Sequence, residues 1–154
     1  MGNVGKYAIL IILLIGIYFT STQQKIAVNT AQWPPGAFWT SNDEIVGYLW
    51  LKDNVPVNTK VFTFVNNAPI LAYDKFTCHW CEDINNFQKN GFNKSIDETY
   101  SWLKSKNYKY IVIDGQTTRR FGINETNEKL HSLVSSGKFQ PIHQTTGFLI
   151  FKIL

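Results

Sequence analysis

Two cysteines, one methionine and two arginines stand in a chain of 154 residues, and charged side chains make up only 17% of it. So little cysteine excludes a mini-protein in which several bridges replace a core. Both arginines are adjacent, Arg119 and Arg120, and the thirteen lysines are scattered, so the net charge of +4 is not gathered on one face. A nucleic-acid partner needs that gathering, and none is expected. Missing as well are G-x-S-x-G, H-E-x-x-H, a phosphate-binding glycine loop and metal-spaced carboxylates, while His79, His131 and His143 are dispersed. No catalytic residue, metal site or cofactor is expected on these grounds. What the chain does have is apolar matter, 44% hydrophobic and 15% aromatic. That excludes disorder and low-complexity classes and supplies a core.

The apolar matter is unevenly placed. Tyr7 to Phe19 runs thirteen residues without a charge or an amide side chain, and nothing later matches it. As a helix those residues cover about 20 Å, and Val4 to Thr22 about 29 Å if Lys6 snorkels, against a hydrocarbon core of ~30 Å. One membrane-spanning helix over residues 1–22 is the expectation, followed by a connector over 23–40 and a domain over 41–154. A cleaved signal peptide competes, because Lys6 supplies a positive start, but only Thr20-Ser21-Thr22 stands where a small-residue cleavage site belongs. A buried core helix is the third reading. Lys6 ahead of the helix points the amino terminus inward and the remainder outside the cytoplasm, giving a single-pass protein of the cell membrane; Lys25 weakens that bias. In the connector, Trp33, Phe38 and Trp39 suit either the headgroup zone or the domain surface.

Beyond residue 40 the pattern is α/β. Ser41 and Glu44 have capping-box spacing, opening a helix to about Asp53 with Ile45, Tyr48, Leu49 and Lys52 at helical intervals. Pro56 stops it, and Val61 to Val65 reads as a buried strand. Ile70 to Tyr73 reads as a short extended piece. After Cys81 comes a short helix with Ile84 and Phe87 on one face, ending near Gly91. Ser95 and Glu98 form a second capping box before a helix with Ile96, Tyr100 and Leu103 inward. Tyr108 to Asp114 is the clearest strand, Arg119 to Ile123 reads as loop, and Asn124 or Thr126 caps a helix carrying Leu130, Leu133 and Val134. Phe139 to Gln144 and Phe148 to Ile153 make a terminal hairpin around Thr145-Thr146-Gly147. The expected fold is a small mixed sheet flanked by helices.

Three groups of residues invite chemistry. Cys78-His79-Trp80-Cys81 at the start of a helix fits a structural disulfide, or a redox pair whose first thiolate is stabilised by the helix dipole. The element order resembles a thioredoxin in part, although Thr77 precedes the first cysteine, no helix follows the hairpin, and the helix before Val61 has no place there. Zinc is disfavoured, because His79 is crowded between the sulfurs and no second pair exists. Asp114 ends the best strand, where open α/β sheets present ligands, and with Arg119 and Arg120 it makes an anion-binding loop imaginable beside the plainer reading of a solvated turn. Asn93-Lys-Ser95 and Asn124-Glu-Thr126 are glycosylation sequons, which operate only outside the cytoplasm.

Several phrases carry a resemblance: Glu44-Ile-Val-Gly-Tyr-Leu-Trp-Leu-Lys-Asp-Asn-Val-Pro56, Lys60 to Phe64, Tyr100 to Asp114 with its Tyr-Ile-Val-Ile-Asp ending, and Gly147 to Ile153. Together they resemble the carboxy-terminal extracytoplasmic domain of GT-C membrane glycosyltransferases, the dolichyl-phosphate-mannose protein mannosyltransferase-like enzymes and their archaeal relatives. The resemblance implies that Tyr7 to Phe19 is a last membrane span. It also implies a partner: a multi-span glycosyltransferase subunit, or an acceptor glycan or protein. Enzymes of this family carry their catalytic carboxylate in a first extracytoplasmic loop, which has no counterpart here. The domain is therefore expected to be accessory, or part of a longer enzyme, and not catalytic by itself. The alternative is a membrane-anchored thioredoxin-like oxidoreductase using Cys78 and Cys81.

Overall fold

The computed structural model describes residues 3–19, 41–65 and 67–154. Two compact units divide the chain, Met1–Gln32 and Trp33–Leu154. The connector with Trp33, Phe38 and Trp39 lies outside the described residues, as does the side chain of Lys6. In the first unit, helix α1 (Asn3–Ile17) is fifteen residues long, about 22 Å. Its apolar side chains from Ile9 to Ile17 are 48–67% exposed, so no other described residue covers them. Among the described residues no helix is long and apolar enough to cross a membrane. The full span expected over 4–22 is thus not shown, and its last three residues are not described.

The second unit follows the expected order with two additions. Helix α2 (Asn42–Asn54) opens with the Ser41/Glu44 capping box, both halves formed. Its inward face is Glu44, Gly47, Tyr48 and Leu51, while Ile45 and Leu49 stay exposed. Strand β1 (Val61–Thr63) is shorter than expected. Past it the carbonyls go to side chains instead of a strand: Gln88 donates to the Thr63 oxygen at 2.6 Å and Arg120 to that of Phe64 at 3.3 Å. Helix α3 (Ala68–Ala72) replaces the extended piece expected at Ile70 to Tyr73. Pro69 sits in its first turn, where a missing N–H costs nothing and a fixed φ helps. Helices α4 (Glu82–Asn90) and α5 (Ile96–Ser105) follow, the latter with its Ser95/Glu98 box formed.

Strand β2 (Tyr110–Asp114) runs directly into α6 (Gly115–Phe121), and α7 (Ile123–Ser135) follows at once. The loop expected at Arg119 to Ile123 is therefore helical, with Gly122 as the joint at φ +96°, a conformation natural to glycine. Neither Asn124 nor Thr126 caps α7; Gly122 holds the N-cap position, and the Thr126 hydroxyl donates back to its carbonyl at 2.7 Å. Strands β3 (Phe139–Thr145) and β4 (Phe148–Ile153) form the expected hairpin.

The sheet order is β1-β2-β4-β3, with β1 and β2 parallel and the remaining pairs antiparallel. Alternation along the strands sends Phe62, Ile111, Ile113 and Phe151 into one core, together with Ile84 and Phe87 of α4, Leu103 of α5 and Leu133 of α7. Val61, Val112, Phe148 and Ile150 enter a second core against Tyr48 and Leu51 of α2 and Ile70 of α3. The result is a three-layered mixed α/β domain with its central strand, β2, buried on both faces.

Candidate functional site

The switch in strand direction lies between β2 and β4, paired from Tyr110↔Lys152 to Asp114↔Phe148. Ligand sites in open α/β sheets gather outside the carboxyl end of such a strand. Asp114 stands there, but it is only 2% exposed and its oxygens are in use. Oδ2 accepts the Tyr48 hydroxyl at 2.8 Å, and Oδ1 accepts both the backbone N–H and the hydroxyl of Thr117 at 2.9 Å. Asp114 is thus the N-cap of α6. Glu44, 1% exposed, lies beside it, accepting from Gly115 N–H at 2.8 Å through Oε1 and from Ser41 N–H at 2.7 Å through Oε2.

Burial raises the Glu44 carboxyl above its ordinary value against the pull of those backbone donors, and the charge of Asp114 adds to the rise. Burial, followed by the Asp114 carboxylate, holds the Tyr48 phenol well above its ordinary range, so it stays a proton donor. The cluster is a fully bonded clamp tying α2 to the junction of β2 and α6.

The segment from Asp114 to Arg120, expected as a loop that could take an anion, is helix α6 with Asp114 as its N-cap. Arg119 and Arg120 lie in the last turn of α6, where positive charge complements the helix carbonyls. Arg120 reaches the Phe64 carbonyl and lies over the Phe121 ring at 5.1 Å. Asp114's carboxylate is spent inside the fold.

A pocket of about 400 Å³ does open at this end of the sheet, between α7 and the β3–β4 turn. Its wall includes Ile113, Leu130 and Leu149, and its polar groups come from Thr118, Asn127, Gln144 and Thr146. Sequence reasoning passed over all four, because they belong to three separate elements and a turn and form no motif. It also passed over Lys129, buried on α7, whose ammonium donates to the Lys94 carbonyl at 2.8 Å and to the Thr99 hydroxyl at 3.3 Å. Burial pushes that amine down to about 8, with Glu98 pulling the other way. The signal was available: Lys129 falls on the same helical stripe as Thr126 and Leu133.

Cys78 and Cys81 stand at disulfide distance, their Cα atoms 5.3 Å apart. Cys81 is the N-cap of α4, and Cys78 is 9% exposed in the core beneath. Burial raises the Tyr108 phenol above its ordinary value, while Thr77 and Cys78 beside it pull the other way. Of the sequon residues, Asn93 lies exposed in a turn between α4 and α5, whereas Asn124 lies in the first turn of α7 with Thr126 buried. His79 and His131 are exposed, and His143 stacks on Trp50 with centroids 4.5 Å apart. Among the described residues no three His, Cys, Asp or Glu side chains group as metal ligands.

No family model matches the chain, and no curated protein or solved structure matches it either.

Proposed function

We propose that this chain is a membrane-anchored domain held outside the cytoplasm, related to the carboxy-terminal domain of lipid-phosphate-sugar-dependent GT-C glycosyltransferases and acting as an accessory or part of one, without catalysis of its own. One observation carries the anchoring: from Tyr7 to Ile17 α1 has no charged or amide side chain, and its large apolar side chains from Ile9 to Ile17 are 48–67% exposed. A helix of that kind is stable only inside an apolar surrounding. The clamp of Glu44, Tyr48 and Asp114 supports a non-catalytic reading, since its carboxylates are already bonded. The phrases shared with the transferase family fall on α2, β1, α5, β2 and β4, which form the body of the domain.

The test is fractionation of the full chain carrying a carboxy-terminal tag. The expected result is retention in the membrane pellet through alkaline carbonate, with the tag removed by protease added from outside. Release into the supernatant, or a tag protected from the protease, overturns it. For the transferase link, the reading frame ahead of the Met1 codon is the deciding observation: an in-frame multi-span segment supports part of an enzyme.

A second reading, thiol–disulfide exchange, has the placement of Cys81 at the head of α4 in its favour. An insulin-reduction assay on the full chain separates the two, because a structural bridge gives no turnover and a reactive Cys78 gives turnover that Cys78→Ser abolishes.

A further inference from the structure

The pocket between α7 and the β3–β4 turn has a chemistry of its own. At about 400 Å³ it is in the range of small-molecule sites. Ile113, Leu130 and Leu149 give it an apolar side, with Ile123, 65% exposed, at the rim. Thr118, Asn127, Gln144 and Thr146 supply two hydroxyls and two amides, and none of these side chains is hydrogen-bonded to another described residue. The two other hydroxyls at the pocket are already used, Thr145 on the Asp43 carbonyl and Thr126 on that of Gly122.

Charge decides the ligand class. No Lys, Arg, His or Glu lines the pocket, and Asp114, its sole ionisable group among the described residues, is spent on Tyr48 and Thr117. A phosphate or a carboxylate would enter without a counter-charge, which is costly. Hydroxyls and amides both donate and accept, so together they suit a ligand whose groups do the same at close spacing. An apolar wall suits the C–H face of a ring.

We infer that this pocket binds one uncharged sugar ring, its hydroxyls bonded by Asn127, Gln144, Thr118 and Thr146 and its C–H face laid on Leu130 and Leu149. The inference deepens the proposed function and rests on it for one point, that the pocket faces the compartment where glycans are displayed. The ligand class comes from the lining.

The experiment is an amide-resolved NMR titration of the full chain in dodecylphosphocholine micelles, a detergent without a sugar headgroup. Methyl α-mannopyranoside and N-acetylglucosamine are the probes; glucuronate and a capped neutral tripeptide are the controls. Saturable shifts at Ile113, Thr118, Leu130 and residues 144–147 with a neutral sugar, and none with glucuronate or the peptide, are the expected result. Asn127→Leu and Gln144→Leu should each weaken binding about tenfold, as loss of a polar contact implies. Both residues are exposed, so a spectrum otherwise unchanged confirms folding, and Thr118→Val serves as an independent third variant. The inference is overturned if no neutral sugar gives a saturable shift, if the peptide or glucuronate shifts the same amides, or if all three variants bind as the parent does. Binding by a chain that fractionates as soluble retains the pocket and removes the anchor; a chain anchored as proposed but blind to sugars does the reverse.

Discussion

On one face of the sheet the Phe62 ring is enclosed by Phe64, Phe87, Trp102 and Tyr108, all with centroids within 6 Å (5.0, 5.7, 5.8 and 5.4 Å), and three helices lie over them. On the other face one long helix and one short one bring Tyr48, Leu51 and Ile70 against Val112, Phe148 and Ile150, with two carboxylates at the edge. The first face is held by area and by ring geometry, which tolerate no water but ask for little direction. The second has less apolar material and adds directional bonds that fix where α2 sits. Gly47 shows how closely it sits: a Cβ there would overlap the Phe148 ring. The pocket opens at the end of the sheet where this directional clamp is made, its apolar wall of Ile113, Leu130 and Leu149 belonging to the ring-filled side. A thick, ring-filled face acts as the foundation, and the thin face positions the working end.

Removing the foundation is the severest test. Phe62→Ala should cost about 4 kcal/mol, from lost transfer energy and a cavity that four rings cannot fill. Denaturant unfolding followed by tryptophan fluorescence measures it, and a loss below that of an ordinary surface substitution would show that the two faces are equals. Next comes the amine enclosed on the same side. Lys129 ionises near 8 when folded, against an ordinary value of 10.5, so the unfolded chain holds the proton more tightly between those values. The stability tied to Lys129 is therefore fully present above 10.5 and lost as pH falls through 8, a change of about 3 kcal/mol. Thermal melts of wild type and Lys129→Met across that window should diverge as pH rises, with wild type gaining. Parallel curves would mean that the amine is already well solvated.

Much of the domain was legible because its signals are local. Both capping boxes formed where Ser and Glu stand three apart, and the hairpin formed around Thr145-Thr146-Gly147. The failures share a cause too. Helices α3 and α6 are five and seven residues long, too short for a 3.6-residue period to declare itself. Asp114 looked like a ligand residue because it ends a strand; the Thr three positions on, whose N–H it caps, was the sign of a helix start. Glu44 was read as half of a capping box, which it is, but its reach to Gly115 spans 71 positions and no spacing rule carries that far. The pocket is illegible for the same reason. Thr118, Asn127 and Gln144 meet only because β4 pairs with both β2 and β3.

The thin face is probed at its central bond. Tyr48→Phe keeps the ring stacked edge-on against Phe148, at 4.6 Å, and removes only the hydroxyl that serves Asp114 Oδ2. A buried carboxylate oxygen without its donor costs about 2 kcal/mol. The sharper readout is local: hydrogen exchange should quicken in α2 and at the start of α6 while β1 and α5 keep their protection. Uniform loss of protection would show that the two faces unfold as one.

The smallest expected effect lies in acid. Glu44 ionises above its ordinary value of 4.5 in the folded domain, chiefly through burial and secondarily through Asp114. The folded state thus holds that proton more tightly than the unfolded chain. Stability from this group is fully present below 4.5 and is lost as pH rises through the raised folded value. Most carboxylates in folded proteins act in the opposite sense, gaining stability over the same range, and the exposed Glu98, held low by Ser95 and Lys94, is one here. Glu44→Gln removes the titration and leaves one of its two backbone donors facing an amide, so it lowers stability at every pH. The gap between wild type and Glu44→Gln should therefore be widest in acid and narrow towards neutrality. A gap that widens with pH would mean that the ionised carboxylate is the form the clamp prefers, stabilised by the Ser41 and Gly115 N–H groups beyond what burial takes away.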